Sequence, residues 1–219
     1  MMTIPKIAIT LGDPSGIGPE IVVKAITHPS LDKTSQKIVL GTTRQVKKAL
    51  QLAGIEKDVR TLKHPNNTQE TDDVIQVLEC PKYEEKDFLY GKHIKESGAA
   101  SHFWVERATK LCIEKSVDAM VTAPVNKISW KIAGSKDTGH LEVFKRLTSS
   151  NYVATMLLSN NLRCMHLSTH KPLADACEYV TKENVLRAIK LTYKHFIEWG
   201  FNNPKIGVAA LNPHASDNG

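Results

Sequence analysis

No stretch of the 219 residues approaches the roughly 20 consecutive apolar residues that a membrane span requires. The apolar run Ile7-Ala8-Ile9-Thr10-Leu11 near the N-terminus is too short for a signal-peptide core and leads straight into a turn-rich motif. Cysteine is sparse: Cys80, Cys112, Cys164 and Cys177 stand far apart and form no CxxC pair. With that spacing the four thiols read as reduced and mostly buried in a cytoplasmic protein. Aromatic residues are only 6% of the chain, and the lysines are scattered rather than gathered into a basic block interleaved with aromatics. A nucleic-acid surface would need that interleaving. Low-complexity runs and internal repeats are lacking as well, which excludes disordered, collagenous and coiled-coil readings.

What is present is an ordinary globular composition, 41% hydrophobic and 24% charged, in a chain long enough to bury the cores of one large or two modest domains. The net charge of +6 suits anionic ligands such as sugar or amino-acid phosphates, and equally suits an ordinary basic surface. Residues 6–11 form an apolar run closed by Gly12-Asp13-Pro14-Ser15-Gly16, and residues 20–26 follow as a helix with Pro19 in its first turn. A second strand at 37–40 and a second helix at 44–53, closed by Gly54, complete a β-α-β-α alternation. This pattern predicts an α/β architecture with a largely parallel sheet.

Residues 61–94, polar and punctuated by Pro65, Asn66 and Asn67, read as loops and short edge strands. The clearest helix of the first half is 97–115, where Ala100, Phe103, Trp104, Ala108, Leu111 and Cys112 recur at helical spacing. A strand at 118–122, a helix at 140–147 and a hairpin of strands 153–158 and 163–168 come next. Thr181 caps a helix that runs to Trp199 and stops at Gly200, and a last strand is expected at 205–211. The domain boundary falls at 125/126, giving a first α/β domain over 1–125 and a second over 126–219. The last strand delivers Asn212-Pro213-His214 with no returning helix behind it, so the chain reads as truncated at its C-terminus.

Four loops that follow predicted strands carry residues able to do chemistry. Gly12, Gly16 and Gly18, in Gly12-Asp13-Pro14-Ser15-Gly16-Ile17-Gly18, could let backbone N–H groups approach a ligand, the cofactor, at a helix start; a tight structural turn is the alternative. Lys127, in Thr122-Ala123-Pro124-Val125-Asn126-Lys127, could orient an anion or steer a proton, or simply be solvated. His140, in Thr138-Gly139-His140-Leu141-Glu142, could donate to a carboxylate or phosphate, or be a capping or surface histidine. His170 and His214, each expected at the end of a strand, could share a divalent metal; His166, four residues before His170 on the same strand, is expected deeper in the core.

In this order the five segments Gly12–Glu20, Thr122–Lys127, Thr138–Glu142, Ser168–Leu173 and Leu211–Ala215 resemble the 4-hydroxythreonine-4-phosphate dehydrogenase family, over the whole chain. The resemblance implies the isocitrate/isopropylmalate dehydrogenase type of fold, two α/β domains flanking a cleft, in a homodimer with sites at the subunit interface. It implies oxidation and decarboxylation of 4-phosphohydroxy-L-threonine by NAD or NADP during pyridoxal 5′-phosphate biosynthesis. A divalent metal (zinc, magnesium or cobalt) would be held by three histidines, with His170 and His214 at two of those places. The third ligand, in a His-Asp-Gln motif, and most of the cofactor segment would lie beyond Gly219. His140 and Leu141 match the pair that contacts the substrate and its phosphate, and Lys127 matches a lysine of the family's Pro-Val-x-Lys segment. Leu141 departs from the family's usual threonine and opens an alternative: a sibling dehydrogenase of threonate or erythronate 4-phosphate, or of a terephthalate dihydrodiol. A further alternative is an inactive fragment or a phosphate-binding module.

Overall fold

The computed structural model describes residues 4–84 and 86–215. Its first unit, Met1–Asn151, is built on β1 (Lys6–Thr10), α1 (Gly18–Ile26), β2 (Gln36–Gly41), α2 (Thr43–Ala53), β3 (Asp58–Leu62), β4 (Val74–Glu79), α3 (Pro81–Glu84), α4 (Lys95–Ile113), β5 (Ala119–Thr122), α5 (Lys127–Ile132) and α6 (His140–Leu147). The strands make one all-parallel sheet in the order β3-β4-β2-β1-β5. Parallel strands covered by helices read as near-continuous apolar runs, and Ile38, Val39 and Leu40 of β2 are all buried. The register aligns Thr10 with Leu40 and Thr122, and Leu40 with Leu78. The loops after β1, β2, β4 and β5 therefore leave along one edge, where α/β sheets place their ligands.

Helix ends are set by local chemistry. Thr42 Oγ1 accepts from Gln45 N at 3.2 Å, and the Glu84 carboxylate accepts from Thr43 N and Arg44 N at 3.1 and 3.0 Å, so the start of α2 is fully capped. Asn126 Oδ1 accepts from Ser129 N at 2.9 Å and starts α5. The main core gathers Leu11, Ile38, Leu40, Val46, Leu78 and Trp104, while Trp130, Val105 and Val143 form a smaller cluster where α5 and α6 meet α4. Residues 126–151 thus belong to the first unit, and the boundary read at 125/126 lies inside it.

The second unit, Tyr152–Gly219, holds β6 (Met156–Ser159), β7 (Leu162–Met165), α7 (Leu173–Glu178) and α8 (Lys182–Glu198). The expected hairpin is present, antiparallel, with Ser159 opposite Leu162 and Asn160 in the left-handed region. Thr181 Oγ1 accepts from Asn184 N at 3.2 Å, as a cap should, and Gly200 closes the helix at φ 86°.

Four expectations need correction. Residues 74–79 are an interior strand, β4, rather than edge structure. Residues 205–211 form no strand and pair with no other strand among the described residues. β7 stops at Met165, because pairing with β6 ends after His166 N donates to Thr155 O at 2.9 Å; His170 therefore lies in a bend, and His166 is not on a strand behind it. Of the four thiols only Cys80 is buried; Cys112 is half-buried, and Cys164 and Cys177 sit on exposed faces of β7 and α7.

Candidate functional site

The loops after β1 and β5 are fastened to each other. Asp13 N donates to Pro124 O at 2.8 Å, and Asp13 Oδ1 accepts from Ser15 N at 2.8 Å, folding the loop back towards α1. Gly12 holds φ +68°, and a methyl there would run into the Pro124 carbonyl oxygen; one at Gly18 would run into the Leu11 carbonyl oxygen. These two glycines are required by the approach of the chain's own backbone. Gly16 meets only Asp13. The loop after β5 then enters α5 at Lys127.

Lys127 reaches the start of α6. A Cβ built on Gly139 would lie 3.6 Å from Lys127 Cε and 3.9 Å from its Nζ. Gly139 gives α6 no side-chain cap, so the first-turn N–H groups that follow, including that of Leu141, have no partner within the helix. His140 opens the helix with its ring against Trp130 and Phe144, at centroid distances of 5.8 and 6.1 Å. Its Nε2 is buried and has no hydrogen-bond partner among the described residues. Leu141 is half-buried. The Glu142 carboxylate stands there too, its Oε2 3.4 Å from the Cβ position built on Gly139; the ammonium, the unsatisfied imidazole nitrogen and the helix N–H groups without a side-chain cap suit an anion with several acceptor oxygens.

Burial, and secondarily the Lys127 charge, hold the His140 pKa below the ordinary histidine value. The neutral ring is therefore the favoured form in the folded protein. Below about pH 6.5 the unfolded chain takes up this proton first, so it binds more protons than the native state and stability falls as pH falls. We expect His140→Asn to flatten the loss of melting temperature on acidification from neutrality. An unchanged slope would mean that the folded ring titrates normally.

A second constellation lies behind this one. His102 Nε2 and Asp137 Oδ2 are 2.8 Å apart, and Arg146 grips Asp137 with both Nε (3.1 Å) and Nη2 (2.6 Å). The same Nη2 donates to Glu106 Oε1 at 2.5 Å. Hydrogen bonding to Arg146, opposed by burial and helped by His102, holds the Asp137 carboxyl below its ordinary value. His102, Glu106 and Asp137 form the one three-residue group among the described residues whose ligand atoms lie close enough to share a metal. Arg146 already occupies both carboxylates, which makes the group an ion-pair network. Sequence reasoning missed it; the one visible trace was His102 and Glu106 at helical i, i+4 spacing.

In the second unit His170 and His214 both adopt left-handed backbone, φ 58° and 60°, and both are exposed. Such backbone is uncommon for residues other than glycine. Neither ring has a hydrogen bond, ion pair or ring contact among the described residues. Lys127 and His140 are thus brought together in one unit, and the two histidines read as metal ligands are carried by the other.

An all-parallel sheet whose strands alternate with helices and whose strand-end loops leave along one edge defines an α/β protein. The chain belongs to the family described as pyridoxal phosphate biosynthetic protein PdxA, whose model matches residues 33–219. The 4-hydroxythreonine-4-phosphate dehydrogenase of Trichlorobacter lovleyi is 35% identical over 217 residues, 98% of this chain and 65% of that protein. The D-threonate 4-phosphate dehydrogenase of Cupriavidus necator is 33% identical over 216 residues, 99% of this chain and 65% of that protein. The crystal structure of a 4-hydroxythreonine-4-phosphate dehydrogenase from Burkholderia phymatum superposes with a TM-score of 0.90 at 30% identity, covering 99% of this chain and 65% of that one. The fold is that of this family, the isocitrate/isopropylmalate dehydrogenase type. The chain spans 65% of the length of each of these relatives.

Proposed function

We propose that the complete protein is a cytoplasmic homodimer that oxidises 4-phosphohydroxy-L-threonine with NAD or NADP, with loss of carbon dioxide, in pyridoxal 5′-phosphate biosynthesis. The observation that carries this reading is the Lys127–His140 pair at the uncapped start of α6, which suits the substrate's phosphate. Lys127 offsets the phosphate charge, His140 Nε2 donates to one of its oxygens, and the Leu141 N–H supplies a further donor in place of a hydroxyl. Orienting the substrate from its phosphate end fixes where the reacting carbon lies.

The imidazoles of His170 and His214, without a partner among the described residues, fit the donor set of a catalytic divalent metal, which takes nitrogen ligands and about three protein groups. Zinc, magnesium or cobalt bound there would supply Lewis-acid chemistry at the substrate hydroxyl and at the decarboxylation. The glycine-rich loop fits a nucleotide less well, because Gly12 and Gly18 are explained by contacts with Pro124 and Leu11. No step is built on those glycines.

A second reading has its own support: relatives of equal identity carry the D-threonate 4-phosphate name, and Leu141 removes a hydroxyl that a hydroxythreonine site would use. The test is turnover by the complete gene product with 4-phosphohydroxy-L-threonine and with D-threonate 4-phosphate, read as reduced nicotinamide. We expect turnover of the first. Exclusive turnover of the second would move the protein to the sibling function. Binding of either without reduction of NAD or NADP would sink the dehydrogenase reading.

A further inference from the structure

We propose that Asp137 is the positioning residue for His140, holding the turn that carries this histidine through His102 and Arg146, and acting on the ring through Trp130. The inference rests on the reading of His140 as the anion contact.

The chain of contacts is continuous. Asp137 sits three residues before His140, and its carboxylate is nearly buried, with 8% of its side chain exposed. Its oxygens are engaged from two helices: Oδ1 by Arg146 of α6, and Oδ2 by both Arg146 and His102 of α4. Its backbone is pinned as well, since Asp137 N donates to Ser135 Oγ at 3.1 Å and Ser135 Oγ donates to Asp137 O at 3.3 Å. The turn into α6 therefore cannot shift without breaking a bidentate guanidinium pair, which has a fixed planar geometry. On its other side the His102 ring stands edge-on to Trp130, 4.9 Å between centroids and 88° between planes. Trp130 is fully buried, its Nε1 donates to Ser101 Oγ at 2.9 Å, and its ring supports His140. Two constraints thus converge on one imidazole, through the backbone of the turn and through a rigid aromatic spacer.

Nothing in this geometry brings Asp137 to the substrate, and removing it is expected to act only through His140. The charge that acts on His140 is Lys127 of α5, with the Glu142 carboxylate beside Gly139 at the same helix start, and both residues are kept in the variants below. Asp137→Asn keeps the shape of the side chain but loses the charge that Arg146 and His102 share. Arg146→Lys keeps a positive charge but loses the two-pronged grip.

The experiment follows the His140 imidazole by NMR, its resonance identified by its absence in His140→Asn, alongside thermal unfolding and steady-state kinetics of the complete protein. In Asp137→Asn the ring should lose contact with Trp130 and gain water, so its titration midpoint should rise towards the ordinary value of about 6.5. KM for the phosphorylated substrate should rise about tenfold or more, with a smaller change in kcat. Arg146→Lys should move both in the same direction by less, and it serves as the readout if Asp137→Asn does not fold. A lowered melting temperature with an unmoved midpoint would make Asp137 merely structural and overturn the proposal. The midpoint needs no substrate, so it tests positioning alone. An unchanged KM in His140→Asn would instead remove the anion reading while leaving the midpoint result standing.

Discussion

Gly98→Ala is expected to lower the melting temperature of this protein by about 6 to 12 °C, which corresponds to about 3 kcal/mol for a chain of this length. Gly98 is buried in α4 at the point where α5 crosses it. A methyl group on Gly98 would collide with the carbonyl carbon and oxygen of Ser129 and would lie 2.9 Å from Trp130 N. All three obstacles are backbone atoms, so no side chain can rotate away, and the two helices must separate. That separation opens the small core of Val105, Trp130 and Val143. It also carries a functional consequence, because α5 begins with Lys127 and holds Trp130 under His140. KM for a phosphorylated substrate should therefore rise in the same variant. A melting temperature within about 2 °C of the parent would show that α5 yields at little cost, since most well-tolerated substitutions stay within about 0.5 kcal/mol.

Much of the first unit was legible because glycine, proline and capping residues punctuate it. Pro19, Thr42 and Gly54 stand at helix ends where the backbone needs them, and the apolar runs between have strand length. β4 was not legible, and Gln76 explains why. A glutamine in the middle of a short apolar run argues against a fully buried strand, yet Gln76 is 2% exposed. Its amide is satisfied by Gln69, whose N donates to Oε1 and whose carbonyl accepts from Nε2, both at 2.8 Å. That solution is made by the loop ahead of the strand, so no periodicity could announce it. Residues 205–211 fail in the opposite sense: they are apolar enough for a strand, but pairing is a property of the neighbour as much as of the segment.

The site divides in the same way. Lys127 could be picked out because it follows β5 at the carboxyl edge of the sheet, where chemistry is expected, and His140 because it follows a glycine at a helix start. Their mutual approach could not be seen, since it depends on how α5 and α6 pack against α4. The network of His102, Glu106, Asp137 and Arg146 was invisible for a related reason: its decisive links join residues 35 and 40 apart. Gly12, Gly16 and Gly18 read equally as a ligand loop or a tight turn, and the atoms that exclude a side chain at Gly12 and Gly18 are the carbonyl oxygens of Pro124 and Leu11.

The second large effect is expected at His170. In the complete protein, loss of this imidazole should lower metal-dependent turnover by about a thousandfold, the equivalent of several kcal/mol of Lewis-acid stabilisation. It should also abolish stabilisation by added metal, a term of about 2.7 kcal/mol when the free ion stands at a hundred times its Kd. The substitution must be chosen with the backbone in mind. His170 holds φ 58°, where alanine is strained and asparagine is better tolerated, so His170→Asn removes the imidazole while sparing the turn. His214, at φ 60°, calls for the same choice. The two asparagine variants should each lose bound zinc, magnesium or cobalt as measured by elemental mass spectrometry, and each should melt like the metal-free parent. Because neither ring has another partner among the described residues, no structural contact is lost with it. Metal content and rate unchanged in His170→Asn would remove this residue from the ligand set, and the same result in His214→Asn would leave the second unit with no metal role.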